Sequence, residues 1–173
     1  MNTKYIIIIN VLHILVSSAL CFGEPFAPKV VPPSGITKDS PDYFGVQILN
    51  ASKVPEMSEV GVPPYPGAKL IMARDASPME VNGNTYACLR YVKILTADNS
   101  DEVEAFYKSR LDGYRFKSEY GGVIRLFWKG EDDLSPMEMG DMCTTPNISI
   151  SDATGMFDTL MPGVKTAIEI TYQ

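Results

Sequence analysis

The segment that most constrains the fold of this 173-residue chain is Asp98–Leu111, which reads DNSDEVEAFYKSRL. Its apolar residues recur at the spacing of one helical face, at Val103, Phe106, Tyr107 and Leu111. Acidic residues gather at its amino end and basic residues at its carboxyl end, and both placements suit the helix dipole. The segment therefore predicts an amphipathic helix with one face packed on a core.

Both ends of this helix carry termination signals. Asn99 or Ser100 can cap the amino end, and Glu102 follows Asn99 at the spacing of a capping box. Gly113 supplies a stop at the other end. The acidic residues of the first turn are interpreted as capping and solvated charge rather than as a cation site.

Strand patterns surround the helix. The residues of Thr85–Thr96, TYACLRYVKILT, are aromatic and β-branched and predict one long strand leading into the helix. Shorter strands are predicted at Ala68–Ala73, Tyr114–Tyr120, Val123–Trp128, Asn147–Ser151 and Thr166–Tyr172, with a turn at Asn82–Asn84 and a loop over Glu131–Cys143. The predicted fold class is α+β, a largely antiparallel sheet of five or six strands with one main helix packed on it.

Residues 1–23 have the layout of a secretory signal peptide. Lys4 supplies the basic start, Tyr5–Leu20 is almost continuously apolar, and small residues follow. We expect cleavage after Cys21 or Gly23, which would deliver the protein to the periplasm or outside the cell.

Cys21 leaves one alternative open. The run Ser18-Ala19-Leu20-Cys21 is reminiscent of a bacterial lipobox, although Leu20 stands where that motif has a small residue. A lipid on Cys21 would anchor the protein to a membrane. A membrane is therefore a partner only if Cys21 is lipidated.

Proline distribution divides the rest of the chain. Nine of the thirteen prolines lie within residues 24–66. Proline fixes its backbone angle and donates no hydrogen bond to a sheet, so this part is predicted to be an extended segment, with Glu24–Ser40 as a tether. Residues 67–173 are predicted to form a single α+β domain.

Charge and histidine content exclude several classes of partner and of catalytic site. The chain has 15 basic and 21 acidic residues, a net charge of −6, and without residues 1–23 the balance is 14 to 21. An acidic chain without a basic stripe argues against a nucleic-acid partner. The single histidine, His13, lies in the predicted signal peptide, so histidine-dependent catalysis and histidine-ligated metals are excluded from the mature chain. No cofactor is implied.

Two cysteines remain after the signal peptide, Cys88 and Cys143. An even number of cysteines in an exported chain predicts a disulfide between them. The bond would tie the carboxyl-terminal part to the Thr85–Thr96 strand, and two separate thiols are the alternative.

Three spaced motifs resemble a pattern found in small exported bacterial proteins, most of them uncharacterised. The motifs are Tyr65-Pro66-Gly67-Ala68, Thr96-x-Asp98 and Val103-x-x-Phe106-Tyr107-Lys108-x-x-Leu111. That pattern is a YPGA segment before a strand and a T-x-D-S…V-x-x-FYK-x-x-L helix, and the match covers roughly residues 63–172. Here Asn99 is inserted before the serine, which lengthens the cap. The resemblance implies export and an α+β core, and it implies no catalytic residues.

Candidate sites are few. Met137, Met139 and Met142 offer soft sulfur ligands that suit Cu(I), whereas methionines also fill gaps in loosely packed loops. Cys143 could join them only if it is not in a disulfide. The acidic residues of the same loop lack the ligand spacing of a calcium site. Trp128, at the end of its strand, is the aromatic residue we expect to be partly exposed for binding.

The sequence thus favours an exported, non-catalytic module that binds a protein or small ligand, or that has a structural role in the cell envelope. Copper handling through the methionine-rich loop is one alternative. A histidine-free hydrolase using paired carboxylates is another, and it would require two carboxylates held close together in a cleft.

Overall fold

The computed structural model describes residues 23–40, 43–130 and 139–173. The strands in these ranges are β1 (Lys69–Arg74), β2 (Ser77–Val81), β3 (Asn84–Cys88), β4 (Arg90–Thr96), β5 (Arg115–Glu119), β6 (Ile124–Trp128), β7 (Asn147–Asp152) and β8 (Thr166–Tyr172). The α-helices in these ranges are α1 (Tyr43–Ala51), α2 (Met57–Val60), α3 (Ser100–Lys108) and α4 (Met139–Thr144). The predicted α+β class is confirmed.

Six strands form one antiparallel sheet in the order β1-β4-β8-β7-β6-β5, and β2 pairs with β3 in a separate hairpin. The hairpin is inserted between the neighbouring strands β1 and β4. The connection from β4 to β5 must cross from near one edge of the large sheet to the other. Helix α3 lies in that crossover, and it packs on one face of the sheet.

We call this covered side of the sheet the helix face. Val103 and Tyr107 of α3 are fully buried against it. Successive side chains of a strand point to opposite faces of the sheet, so every second residue points to the helix. The buried sheet residues of the helix face are Val92, Ile94, Phe127, Ile148, Ile150, Ile168 and Ile170. This apolar layer is the main core.

The predicted start of α3 is confirmed in detail. The Asn99 side chain accepts hydrogen bonds from the backbone N–H groups of Asp101 at 3.1 Å and Glu102 at 3.0 Å. The Glu102 carboxylate in turn accepts from the Asn99 N–H at 3.1 Å. Donors that would be unsatisfied at a helix start are thereby paired.

The prediction of an extended tether over Glu24–Ser40 was wrong. Phe26 is 1% exposed and Val30 is 4% exposed, and the Val30 N–H donates to the Leu70 carbonyl at 2.9 Å. Farther along, α1 buries Leu49. Prolines prevent continuous sheet pairing, but the apolar residues between them still gain from leaving water.

The prediction of one long strand over Thr85–Thr96 was also wrong. The chain breaks at Leu89 into β3, which belongs to the hairpin, and β4, which belongs to the large sheet. Strand propensity is a local property and does not specify which sheet a residue joins. In the segment predicted as a loop, residues 131–138 lie outside the described residues and Met139–Thr144 forms α4.

Candidate functional site

The side of the large sheet opposite α3 is organised differently, and we call it the cavity face. Its centre is polar, with Lys93, Ser149 and Glu169 side by side on β4, β7 and β8. At one end an apolar cluster that includes Leu49 and Leu160 covers it. At the other end α4 covers it, with Met142 packed against β6.

Between these covers lies an open cavity of about 500 Å³, bounded by the sheet, the β2–β3 hairpin and α4. Its apolar walls consist of Met72, Met79, Leu89, Ile124 and Met142, and its other lining residues are Arg74, Tyr91, Cys143, Asn147, Ser149, Ser151, Glu169 and Thr171. The volume falls in the range of roughly 300–1,000 Å³ that is typical of small-molecule sites.

The polar floor follows from the two-residue period of β7 and β8. In NISISD the isoleucines point to the helix face, so the residues between them, Asn147, Ser149 and Ser151, line the cavity. In TAIEITY the same alternation places Glu169 and Thr171 there. A one-residue shift of register would reverse both faces.

An ion pair neutralises most of the charge at this floor. Lys93 Nζ lies 2.7 Å from Glu169 Oε1, and the two side chains are 18% and 32% exposed. Lys93 Nζ also lies 5.1 Å from the centroid of the Phe157 ring. Each member of such a partly buried pair stabilises the other, because removal of either partner would leave an uncompensated charge.

Tyr91 stands beside this ion pair. Burial raises the pKa of its phenol well above the ordinary value, and the charge of Glu169 and a side-chain hydrogen bond with it raise the pKa further. The Tyr91 hydroxyl therefore stays protonated even in alkaline solution, and it donates to the Glu169 carboxylate.

The outer wall depends on α4 and the hairpin. The predicted disulfide is present between Cys88 at the end of β3 and Cys143 in α4, with 4.7 Å between their Cα atoms. The Leu89 N–H donates to the Cys143 carbonyl at 2.8 Å. Gly140 of α4 lies against the ring of Tyr86 in β3, where a Cβ atom would clash with the ring. Glycine at this position lets the helix and the hairpin meet.

The same helix is fastened to the sheet by side chains of the cavity face. Asn147 Nδ2 donates to the Met142 carbonyl at 2.7 Å and to the Thr145 carbonyl at 2.8 Å. Thr171 Oγ1 donates to the Met142 carbonyl at 3.2 Å. These bonds satisfy carbonyls at the helix end and fix the wall at a set distance from the floor.

Arg74, at the end of β1, is exposed beside the cavity. Its guanidinium carbon lies 5.7 Å from the centroid of the Tyr91 ring, which is cation–π geometry. Among the described residues, no carboxylate forms an ion pair with Arg74.

The expectation that Trp128 is partly exposed was wrong. Trp128 is 3% exposed, lies under Met142 and has Arg115 over its ring at 5.1 Å. The end of β6 is covered because α4 returns across it, which the loop assignment for this region did not anticipate. Trp128 therefore packs against Met142 of the wall.

Of the three methionines proposed to bind Cu(I), the structure describes the side chain of one. Met137 and the side chain of Met139 lie outside the described residues, whereas Met142 is half-buried in the cavity wall. Cys143 is in the disulfide and offers no thiolate. Among the described residues, no group of three or more cysteine, histidine or acidic side chains is arranged to hold a metal.

Lys93, Ser149 and Glu169 were missed as site residues. The alternation of Thr166–Tyr172 predicts that Glu169 points away from the main core, but that direction alone does not distinguish solvent from a second, polar face of the sheet. A charged residue and two serines facing the same side of neighbouring strands would have indicated a second, polar face.

A second open depression, of about 470 Å³, lies near the end of β8 between Tyr114, Lys129 and Tyr172. The first cavity differs from it in having a covalently tied wall and a charged pair at its floor.

No protein family, curated protein or solved structure matches this chain. Within the described part of the chain, none of the helices has the length and apolar character that crossing a membrane requires.

Proposed function

We propose that this protein is an exported, non-catalytic binding module that holds a small, largely apolar ligand in the cavity beside the sheet. One observation carries the proposal, namely the cavity itself, which combines apolar walls with a few convergent polar groups. That combination is the usual character of a small-molecule site.

The chemistry of the floor favours binding over catalysis. Lys93 and Glu169 lie 2.7 Å apart and compensate each other. Among the described lining residues Glu169 is the one carboxylate, whereas a hydrolase of the proposed alternative class needs two. The remaining polar groups are hydroxyls and amides, which orient a ligand by hydrogen bonding.

Export is part of the proposal. The amino-terminal pattern of residues 1–23 supports it, as does the Cys88–Cys143 disulfide, because such bonds persist in oxidising compartments. The intact mass of the protein recovered from its own host tests this part. A chain that begins after Cys21 or Gly23 supports export, a lipid on Cys21 adds an anchor, and an uncleaved chain contradicts the proposal.

Native mass spectrometry of the same material tests ligand binding. We expect an additional mass that is released on unfolding and that organic extraction recovers. A Ser149→Leu variant, which places a bulky side chain on the cavity floor, should lose this mass. The matched control is Ser118→Leu, the same change at an exposed strand position outside the cavity.

The control should retain the ligand, and circular dichroism should show the folded state for both variants. If Ser149→Leu does not fold, Ser151→Leu at the neighbouring lining position replaces it. Equal retention of the ligand by wild type and by a folded cavity variant would refute the cavity as the binding site.

Copper handling is a second candidate because three thioether side chains, Met72, Met79 and Met142, line the same cavity. Metal analysis of the protein purified without chelators tests it. Stoichiometric copper that is lost in Met142→Leu would support this candidate, and a metal-free protein that fails to bind added Cu(I) would exclude it.

A further inference from the structure

The two charged residues that line the cavity, Arg74 and Glu169, differ in whether they have a partner. Glu169 is compensated by Lys93, whereas Arg74 has no acidic partner among the described residues, which leaves its positive charge at the site. The whole chain carries a net charge of −6. A local excess of one sign attracts a ligand of the other sign.

The two cations occupy different positions. Lys93 is half-buried and paired with Glu169 at the floor. Arg74 is exposed beside the cavity, over the Tyr91 ring, and among the described residues it has no acidic partner. Arginine presents a planar set of donors that matches a carboxylate in a bidentate arrangement. The contact with the Tyr91 ring, 5.7 Å from its centroid, leaves guanidinium N–H donors available for that pairing.

Glu169 determines the orientation of a charged ligand. Its carboxylate at the floor would repel an anionic group placed deep in the cavity, even though Lys93 reduces its charge. The deep walls are apolar, and methionine side chains adapt to irregular apolar shapes. The apolar part of a ligand therefore fits inside, and an anionic group fits at Arg74.

We propose that the ligand is an amphiphilic anion, with a flexible apolar body inside the cavity and one carboxylate or similar acidic group paired with Arg74. This inference rests on the proposed function and specifies its ligand class. It predicts selection by charge among molecules that share the same apolar body.

Three probes of equal chain length test the selection, namely decanoate, decanol and decylamine, each below the concentration at which it self-associates. Binding is measured by titration calorimetry on the purified protein. An ion pair at an exposed arginine corresponds to up to about fivefold in affinity. We expect decanoate to bind about three- to fivefold more tightly than decanol, and decylamine to bind most weakly.

Arg74→Gln should remove the preference for decanoate and leave the affinity for decanol unchanged. The matched control is Arg110→Gln, because Arg110 also lies over an aromatic ring, that of Phe106 at 4.1 Å, but does not line the cavity. The control should behave as wild type. Ser149→Leu should weaken all three probes together.

The outcomes separate the two proposals. Equal binding of decanoate and decanol by wild type, or a preference that survives in Arg74→Gln, overturns charge recognition while the binding cavity stands. No binding of any of the three probes overturns the amphiphile class. The proposed function then stands or falls separately, on whether the copurified ligand is lost in Ser149→Leu.

Discussion

The helix face and the cavity face are two sides of the same six strands, yet they are built by different means. On the helix face, isoleucine and valine side chains pack against Val103 and Tyr107 of α3, and each of them is at most 1% exposed. On the cavity face, a central ion pair is surrounded by serines and its cover is tied by a disulfide. The first side contributes stability through apolar burial. The second leaves a volume in which something else can be bound.

The difference follows from what lies over each face. The crossover between β4 and β5 brings a complete amphipathic helix to one side, and its apolar stripe fills the space above the sheet. The other side is covered from its ends, by the apolar cluster around Leu49 and by α4. Between these covers the described residues leave the open cavity, although the Phe157 ring lies near Lys93. Polar residues there are compatible with water as well as with a ligand.

The largest expected effect comes from Ile148 and Ser149, neighbours on β7 that point to opposite faces. Ile148→Ala removes buried apolar atoms from the helix face and should lower the free energy of unfolding by about 2–5 kcal/mol. Ser149→Ala on the cavity face should change it by about 0.5 kcal/mol or less. Urea titrations of both variants measure the difference. Similar losses for the two would contradict the division into a structural and a binding face.

The disulfide gives the next largest effect. It closes a loop with a sequence separation of 55 residues, so reduction should lower the free energy of unfolding by about 2–4 kcal/mol. Because the bond ties the cavity wall, reduction should also weaken ligand binding more than it disturbs the main core. Urea titration with and without dithiothreitol measures the first effect, and native mass spectrometry measures the second.

A Cys88→Ala, Cys143→Ala double variant is the control for this experiment. It should resemble the reduced wild type and should not respond to dithiothreitol. If reduction leaves ligand binding intact, the wall holds without the bond, and the cavity face depends less on the disulfide than we infer.

The cap of α3 is expected to have a smaller effect. Asn99→Ala removes the acceptor for the N–H groups of Asp101 and Glu102 and should cost about 1 kcal/mol. Ser118→Ala, an exposed change outside the cap, is the control. The loss should appear in the midpoint of urea unfolding and leave ligand binding unchanged, because α3 covers the helix face only. Weaker ligand binding in Asn99→Ala would indicate that the two faces are coupled.

The parts of the fold predicted from the sequence are those whose signals are local. The Asn99–Glu102 capping box and the alternation of β8 each involve residues a few positions apart. The split at Leu89 was not predictable in this way, because it depends on which partner each half of the segment finds. The burial of Phe26 was also missed, since the many prolines around it suggested an extended tether.

The cavity was beyond local reasoning for a further reason. Its floor requires Lys93, Ser149 and Glu169 to align on three strands, which only the register of the sheet determines. Its wall is α4, which the Cys88–Cys143 bond ties to the hairpin. The sequence predicted that bond, but it did not indicate that a space lies behind it.

The last expected effect appears only at alkaline pH and concerns Tyr65, whose hydroxyl donates to Asp98 Oδ2 at 2.8 Å on the helix side of the molecule. Burial first, and then this hydrogen bond and the charge of Asp98, raise the pKa of Tyr65 to about 12. The unfolded chain releases the same proton near pH 10. The stabilisation is therefore complete below pH 10 and is lost as the pH rises towards 12, because the unfolded state binds fewer protons in that window. Removing the hydroxyl should therefore make stability fall less steeply with pH.

Thermal unfolding of wild type and Tyr65→Phe from pH 9 to about pH 12 measures this slope. The variant should retain part of the fall, because burial also raises the pKa values of Tyr91 and Tyr107. Asp98→Asn is the companion variant, since it keeps a hydrogen-bond acceptor and removes the charge, and its slope should lie between the other two. Parallel curves for all three proteins would mean that the Tyr65–Asp98 contact does not contribute to the pH dependence, and that the alkaline loss of stability arises on the cavity face or deeper in the core.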